Sequence, residues 1–538
     1  MRRESWVVAV GVILWAACAW AQAPVPVPRE RAAVQSETLG PFPASVLAQA
    51  VSRDGRHVAM VCPQGGRFRV VVDGTAGPDY EYLFEGAPLW AVTGDGAHVA
   101  CAVETAAKKW FMVVDGQKGP EYDAVGTPLF SPDGKRWAHT AKNGEKWLVV
   151  VDGKPGPDYD WIFTLFFNAD GTKVAYAAAK DQQKVLVVDG QPGPAYDDMP
   201  TWAPVFSPDG KRVAYSANNG HRWIVNLDGE EGPEYEDMNV PVFSPDSRHV
   251  AYPAGRGEKV MVVLDGHEGP EYDRPFRGRP VFSRDGKHLA YHVGKDPKHL
   301  MILDGKPGAE FDNMGEPLFS PDGSRLAYAA ARDGWHVIVD GREGPVIWEL
   351  GLVVFSPDSR RLAYAEMDNR RYHVVTDGQG GPAYLAIAEG TPLFSADSKH
   401  VVYVAAMEKD NKHVVVADGK EGTPYDLIGP GLPEFSPDGR HLAYVAEDQR
   451  RQFLVLDGHA DPAHDAVLPA TPLFSPDGRH RVYLVKDGNQ WSVCVDDRVG
   501  PAFDAILHGD PIHLVFDPDG AVQYLAVKDG KLLRVRQR

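Results

Sequence analysis

FSPDGKRVAY stands at residues 206–215, and close copies open at Phe319 (FSPDGSRLAY), Phe355 (FSPDSRRLAY) and Phe435 (FSPDGRHLAY). Aligned on its Asp, the motif recurs at Asp54, Asp95, Asp133, Asp170, Asp209, Asp246, Asp285, Asp322, Asp358, Asp397, Asp438, Asp477 and Asp519. That is thirteen copies, spaced 36 to 42 residues apart. A period near 40 residues fits one four-stranded propeller blade.

Each part of the motif has a local cause. Two residues before the Asp stands Ser, Thr, Asn or Asp, as in Ser131 and Asn168, side chains that accept a backbone N–H and start a turn. Pro often follows, as in Pro132 and Pro208, and presets φ for a type I turn. Gly after the Asp supplies φ > 0. Ser247, Ser359 and Ser398 replace that Gly and are expected to strain the bend. Past the turn, Val213, Tyr215 and Ala217 fall on one face and Ala214 and Ser216 on the other, a pattern for a sheet buried on both sides. A polar hairpin such as AKNGEK (141–146), a third strand such as VVVDG (149–153) and a second motif, DGKPGPDYD (152–160), complete the unit. Gly and Pro total 55 and 44, and no long stretch carries helical apolar spacing. The expectation is an all-β chain of four-stranded meanders, a β-propeller.

FSPDGKR followed by an apolar residue, Ala and Tyr resembles the WD40-like propeller repeat of the TolB type. The resemblance covers nearly the whole chain beyond residue 35 and implies a propeller of about thirteen blades. DGxxGPxYD is not part of that family's usual pattern. Propellers typically hold four to eight blades, so the expectation is two tandem propellers. The first, of about six blades, spans 36–275 and the second, of about seven, spans 276–538, divided at the atypical basic link DRPFRGRP (273–280). The last repeat ends after KLLRVRQR without a fourth strand, while SETLGPFPASVLA (36–48) resembles a fourth strand plus link. The N-terminal strand is therefore expected to complete the last blade and remove an unpaired edge.

The first residues form a separate device. MRRESW is basic, Val7 to Trp20 is apolar and AQA stands at 21–23, which reads as a signal peptide over 1–23, followed by a Pro-rich linker over 24–35. The expected location is periplasmic or secreted, with a lipoprotein attached through Cys18 as the alternative. No later segment is long and apolar enough to span a bilayer. Cys62, Cys101 and Cys494 remain after cleavage. Cys62 and Cys101 could pair, and buried free thiols are the preferred reading.

A residue present in every blade serves the blade, so the repeated Asp is read as a turn former. No GxSxG, HExxH or Walker loop is found, and neither a cofactor nor a metal is expected. Asp504, His508, Asp510 and His513 form the densest local His and acid group but match no ligand template. His139 and His464 stand where other copies carry Tyr, and Trp161, Trp202 and Trp348 interrupt the pattern near the fourth strand. Packing is the default for these, an aromatic platform the sharper reading. The net charge of −18 excludes nucleic acid as a partner. The second hairpins collect Lys142, Lys146, Lys180, Lys184, Arg222, Arg256, Lys259, Lys295, Lys298, Arg370 and Arg371, the candidate binding residues. With the GPxYD acids assigned to the opposite face, the disc is expected to be polarised. The expected function is a non-catalytic scaffold recognising a protein, peptide or cell-envelope polymer, an anionic one included, through its variable loops. The alternative is a propeller lyase or hydrolase acting on an acidic polysaccharide.

Overall fold

A computed structural model describes residues 33–538 except 53–54, 66, 81–89, 94–96, 106, 201–203, 274–277, 296, 369, 409, 469–472 and 509–513. The leader 1–23, Cys18, Asp54, Asp95 and Trp202 lie outside the described residues.

The described chain is all-β: antiparallel sheets in meander order. Thirteen blades follow in sequence. They span 48–80, 90–122, 124–159, 161–196, 205–235, 237–273, 281–311, 313–347, 349–384, 386–425, 427–464, 466–503 and 505–537, numbered 1 to 13. In blade 3 the first strand comes in two pieces, Ala124–Val125 and Leu129–Phe130, both paired to Trp137–Asn143. Lys146–Val151 pairs on the other side, and Lys154–Pro155 begins the fourth strand. First strands of neighbouring blades touch at junctions 2/3, 5/6 and 9/10, as expected of the edges nearest the axis. Blade 13 takes its fourth strand from the N-terminus: Val34–Pro41 pairs with Lys531–Gln537, so the expected linker is already strand at residue 34.

The two middle strands of each blade are buried on both faces, which is why they alternate large and small residues. In blade 4, Val174, Tyr176 and Ala178 pack on blade 3, while Ala175 and Ala177 pack on blade 5. Both repeated motifs meet at such junctions. Tyr159 from the second motif of blade 3 lies edge-on to Tyr176 of blade 4 at 5.9 Å, and Tyr196–Tyr215, Tyr235–Tyr252 and Tyr384–Tyr403 repeat the contact. A Cβ on Gly156 would meet Val149 O at 3.1 Å and the Tyr176 hydroxyl at 3.6 Å. The Gly of DGxxGPxYD thus clears space for the next blade's tyrosine.

Neighbouring blades pack face to face, and the last blade meets the first. Blade 6 places Tyr252 and Ala254 on blade 5 and Ala251 on blade 7. Blade 1 places Val58, Met60 and Cys62 on Leu525 and Val527 of blade 13, and its Val70 on blade 2. Arg56–Asp517 (2.6 Å) and Arg534–Asp73 (3.3 Å) tie blades 13 and 1 further. Tyr272–Asp273 pairs with strands of both blade 6 and blade 7. The faces of blade 6 are thus taken by blades 5 and 7, and those of blade 1 by blades 13 and 2. Cys62, Cys101 and Cys494 are buried and none is in a disulfide, and burial pushes the Cys101 thiol up to about 12. No helix among the described residues is long and apolar enough to cross a membrane.

Candidate binding surface

The repeated Asp is a turn residue. Ser131 Oγ donates to Asp133 Oδ1 at 2.7 Å and accepts the Arg136 N–H at 2.9 Å. These bonds, with Lys135, pull the Asp133 carboxyl down to about 2. Where Ser replaces the turn Gly, it keeps the left-handed backbone, with φ 66° at Ser247. Its hydroxyl accepts the N–H of Asp209 in the preceding blade at 2.9 Å. Ser359 and Ser398 do the same for Asp322 and Asp358, so the expected strain is offset by an interblade hydrogen bond.

On the same face, Asp152 of the second motif, at φ 50°, accepts the Trp137 N–H and the Arg136 Nε, each at 2.9 Å. Arg212, Arg325 and Arg361 repeat this with Asp228, Asp340 and Asp377. In other blades the cation is replaced by histidine: His57, His98, His249, His288, His400, His441 and His480 bond the equivalent Asp at 2.6 to 2.8 Å. These histidines occupy one repeat position, three residues after the turn Asp, and are not scattered.

The opposite face carries the second hairpins. The GPxYD acids lie there too, because the fourth strand runs towards that face before it ends. Their expected placement on the other face is corrected, and with it the expected separation of charge. Lys109 pairs with Asp123 and Lys259 with Asp273, both at 2.5 Å, and Lys412 pairs with Asp426 at 2.7 Å. Lys146, Lys184, Arg222 and Lys298 hold Asp160, Asp198, Glu236 and Asp312. The same acid reaches the next blade: Asp123 accepts the Gly144 N–H at 2.7 Å and Asp160 the Asp181 N–H at 2.8 Å. Glu236, Asp426, Asp465 and Asp504 cap the following hairpins likewise. Of the remaining candidate cations, Arg256 pairs with Glu268, Lys295 with Glu310 and Arg371 with Glu408. Lys142 lies 5.9 Å from the Trp147 ring, and Arg370 is exposed. Lys180 is exposed on its hairpin near Asp160.

This clamp fails at two successive junctions. Where other blades carry the acid, blade 8 has Trp348 and blade 9 has Leu385. The main chain is unchanged: Trp348 N–H donates to Met367 O at 3.2 Å and Leu385 N–H to Ala406 O at 3.0 Å, as Asp160 N–H does to Ala179 O at 2.8 Å. Trp348 is 75% exposed and Leu385 50%, with Val346 and Leu352 also exposed. In blade 8 the clamp's cation is gone as well, replaced by Gly334, where a Cβ would come within 2.5 Å of Val346 Cγ1, whereas blade 9 keeps Arg371. Ile347 stands in place of the second-motif Tyr. On the facing strand, Glu366 replaces the Ala found at Ala178, Ala217 and Ala254, opposite Leu350 and His373. Its Oε2 is buried and has no hydrogen-bond partner among the described residues. Burial raises its carboxyl above the ordinary range. His373 Nδ1 is committed to Gly381 O at 3.1 Å.

Other departures find partners. His139 is buried, stacks on Trp137 at 5.7 Å and bonds Thr140 O at 2.9 Å; burial holds it down to about 4. His464 bonds Asp487 at 2.7 Å. Asp461 replaces the second-motif Gly of blade 11, where it accepts the Tyr483 hydroxyl at 2.8 Å and lies 3.4 Å from the buried Arg481. Trp161, 49% exposed, meets Trp147 edge-on at 5.2 Å. Asp504 caps a hairpin, while Asp510 and His513 lie outside the described residues.

No family model matches the chain, and no curated protein matches it. Among solved structures, the chain is similar to one described as the crystal structure of the eukaryotic initiation factor, at 12% identity and a TM-score of 0.30, over 74% of this chain and 96% of that one. It is also similar to the β-propeller domain of the Trilobed protease from Pyrococcus furiosus, at 15% identity and a TM-score of 0.24, over 49% and 94%. Neither likeness bears on function at this level; the propeller fold stands on the sheets themselves.

Proposed function

We propose that the protein is a non-catalytic binding scaffold, an exported propeller of the TolB-type repeat whose thirteen blades form one ring. Its docking surface is the second-hairpin face at blades 8 to 10. The observation that carries this is the replacement of the interblade acid by exposed Trp348 and Leu385 with the backbone left in place. A large apolar side chain exposed at a position that asks for a carboxylate has no use within the blade. Exposed aromatic anchors on a rigid frame are common hot spots of binding. The paired hairpin cations are a weaker docking surface, since exposed ion pairs already satisfy them. No observation among the described residues favours the polysaccharide-cleaving alternative.

The test restores the repeat. In Trp348→Asp/Leu385→Asp, both positions return to the acid of the other blades. Capture of partners from cell-envelope extract, quantified by mass spectrometry, is expected to fall at least tenfold while the melting temperature holds. Undiminished capture overturns the assignment. Sequencing the N-terminus of the mature protein checks export, with Pro24 as the expected first residue.

A further inference from the structure

We infer that the junction of blades 8 and 9 takes a lysine side chain of a partner protein, its ammonium directed to Glu366 and its alkyl stem laid against Trp348. This rests on the docking reading above and names the chemistry of the docked group. Three independent departures from the repeat converge at this junction. Ile347 removes the ring and hydroxyl that Tyr159 supplies at junction 3/4. Glu366 places a carboxylate where eight other blades have Ala. Trp348 sets an exposed indole two residues from Leu350, the cross-strand neighbour of Glu366.

The carboxylate makes no hydrogen bond or ion pair among the described residues, and its Oε2 is shielded from solvent. A half-buried carboxylate with one shielded, unpaired oxygen is costly. The groups facing it donate no hydrogen bond to it: Leu350 is apolar, and His373 turns its Nδ1 donor to a backbone carbonyl, so that its charge offsets only part of the burial cost, to which Asp368 adds. An incoming ammonium would supply the missing donor, and an indole beside it adds a cation–π contribution. The exposed Val346 and Leu352, on the segments that meet at this junction, offer more apolar contact than a free amine could use, which favours a lysine within a polypeptide. The protein's charge of −18 favours the approach of a cationic segment.

The experiment uses the mature full chain and follows the indole 1H–15N signal of Trp348, assigned by its loss in Trp348→Phe. The probe is N-acetyl-Leu-Lys-Leu-amide, compared with its Nε-acetyl-lysine twin and with pentane-1,5-diamine. The lysine peptide is expected to shift the signal saturably, with the acetylated twin and the diamine at least tenfold weaker. Glu366→Gln and Glu366→Ala are each expected to weaken the peptide at least tenfold. The second variant carries the residue other blades have there, so its fold is secure. Equal binding of the acetylated twin overturns the inference and leaves an apolar docking surface. A diamine as tight as the peptide overturns the protein partner in favour of a free amine. Binding insensitive to Glu366, or no binding of the lysine peptide, also overturns it. Trp348→Asp/Leu385→Asp losing its captured partner while Glu366→Gln retains it would overturn the lysine assignment and spare the docking surface.

Discussion

Junctions 8/9 and 11/12 both break the repeat, and they break it in opposite ways. At 11/12 the departures answer one another. Asp461 enters where Gly is usual, Arg481 enters where Val or Leu is usual, and the two meet, with Asp497 2.9 Å from the same guanidinium, although the Arg481 Nε itself is buried without a hydrogen-bond partner among the described residues. Tyr483 keeps its place in the junction and donates to Asp461, and His464 finds Asp487. At 8/9 the departures leave an indole largely in solvent and a shielded carboxylate oxygen without a hydrogen-bond partner among the described residues. Departures that satisfy one another belong to the structure. Departures that leave binding capacity unused are the ones on which the proposed docking surface rests.

The largest expected effect tests the paired junction. Arg481→Leu leaves Asp461 without its buried cation and should cost about 3–5 kcal/mol, read as a lowered denaturation midpoint. Arg481→Leu combined with Asp461→Gly rebuilds the ordinary junction and should recover most of that loss. A double variant as unstable as the single one would show that the pair is not the unit.

At 8/9 the sign reverses. Glu366→Ala removes a buried unsatisfied group and should stabilise the protein by about 1 kcal/mol, the lower part of the range for such a group, measured by the same denaturation. A loss of stability would mean that Glu366 is bonded within the blade, and the contrast with 11/12 would fall.

The smallest effect is a difference in pH slope. Glu366 has its folded carboxyl raised by burial, so between its unfolded and folded values the folded state binds more protons. Its contribution to stability therefore improves as pH falls through the folded value. Asp160, held below the ordinary range by Lys146 and the Asp181 N–H, contributes stability present above its unfolded value and lost as pH falls through the folded one. Stability of Glu366→Gln relative to the parent should thus decline on acidification from pH 7 to 4. That of Asp160→Asn should rise relative to the parent as pH falls further. Parallel profiles would erase the distinction between an unpaired and a paired carboxylate.

The blade was legible because its causes are local. A turn Asp after Ser, a Gly at positive φ and strands alternating large and small residues are written in consecutive positions, and thirteen copies make the pattern unmistakable. The N-terminal strand in blade 13 was legible for the same reason, as a missing fourth strand at one end and a spare at the other. The acid eight residues after the second-motif Asp was equally readable, and with it the exceptions Trp348 and Leu385. So was the row of histidines three residues after the turn Asp. Only the tertiary structure decided which face each charge occupies, because that depends on where the fourth strand ends in space. It also decided that Gly156 yields to Tyr176 and that Asp461 meets Arg481. These residues lie on different blades and become neighbours only when sheets stack face to face. A repeat therefore specifies its own blade in one stretch of sequence, whereas a junction is specified by two stretches at once, and the unpaired Oε2 of Glu366 is visible only once the described residues around it have been placed.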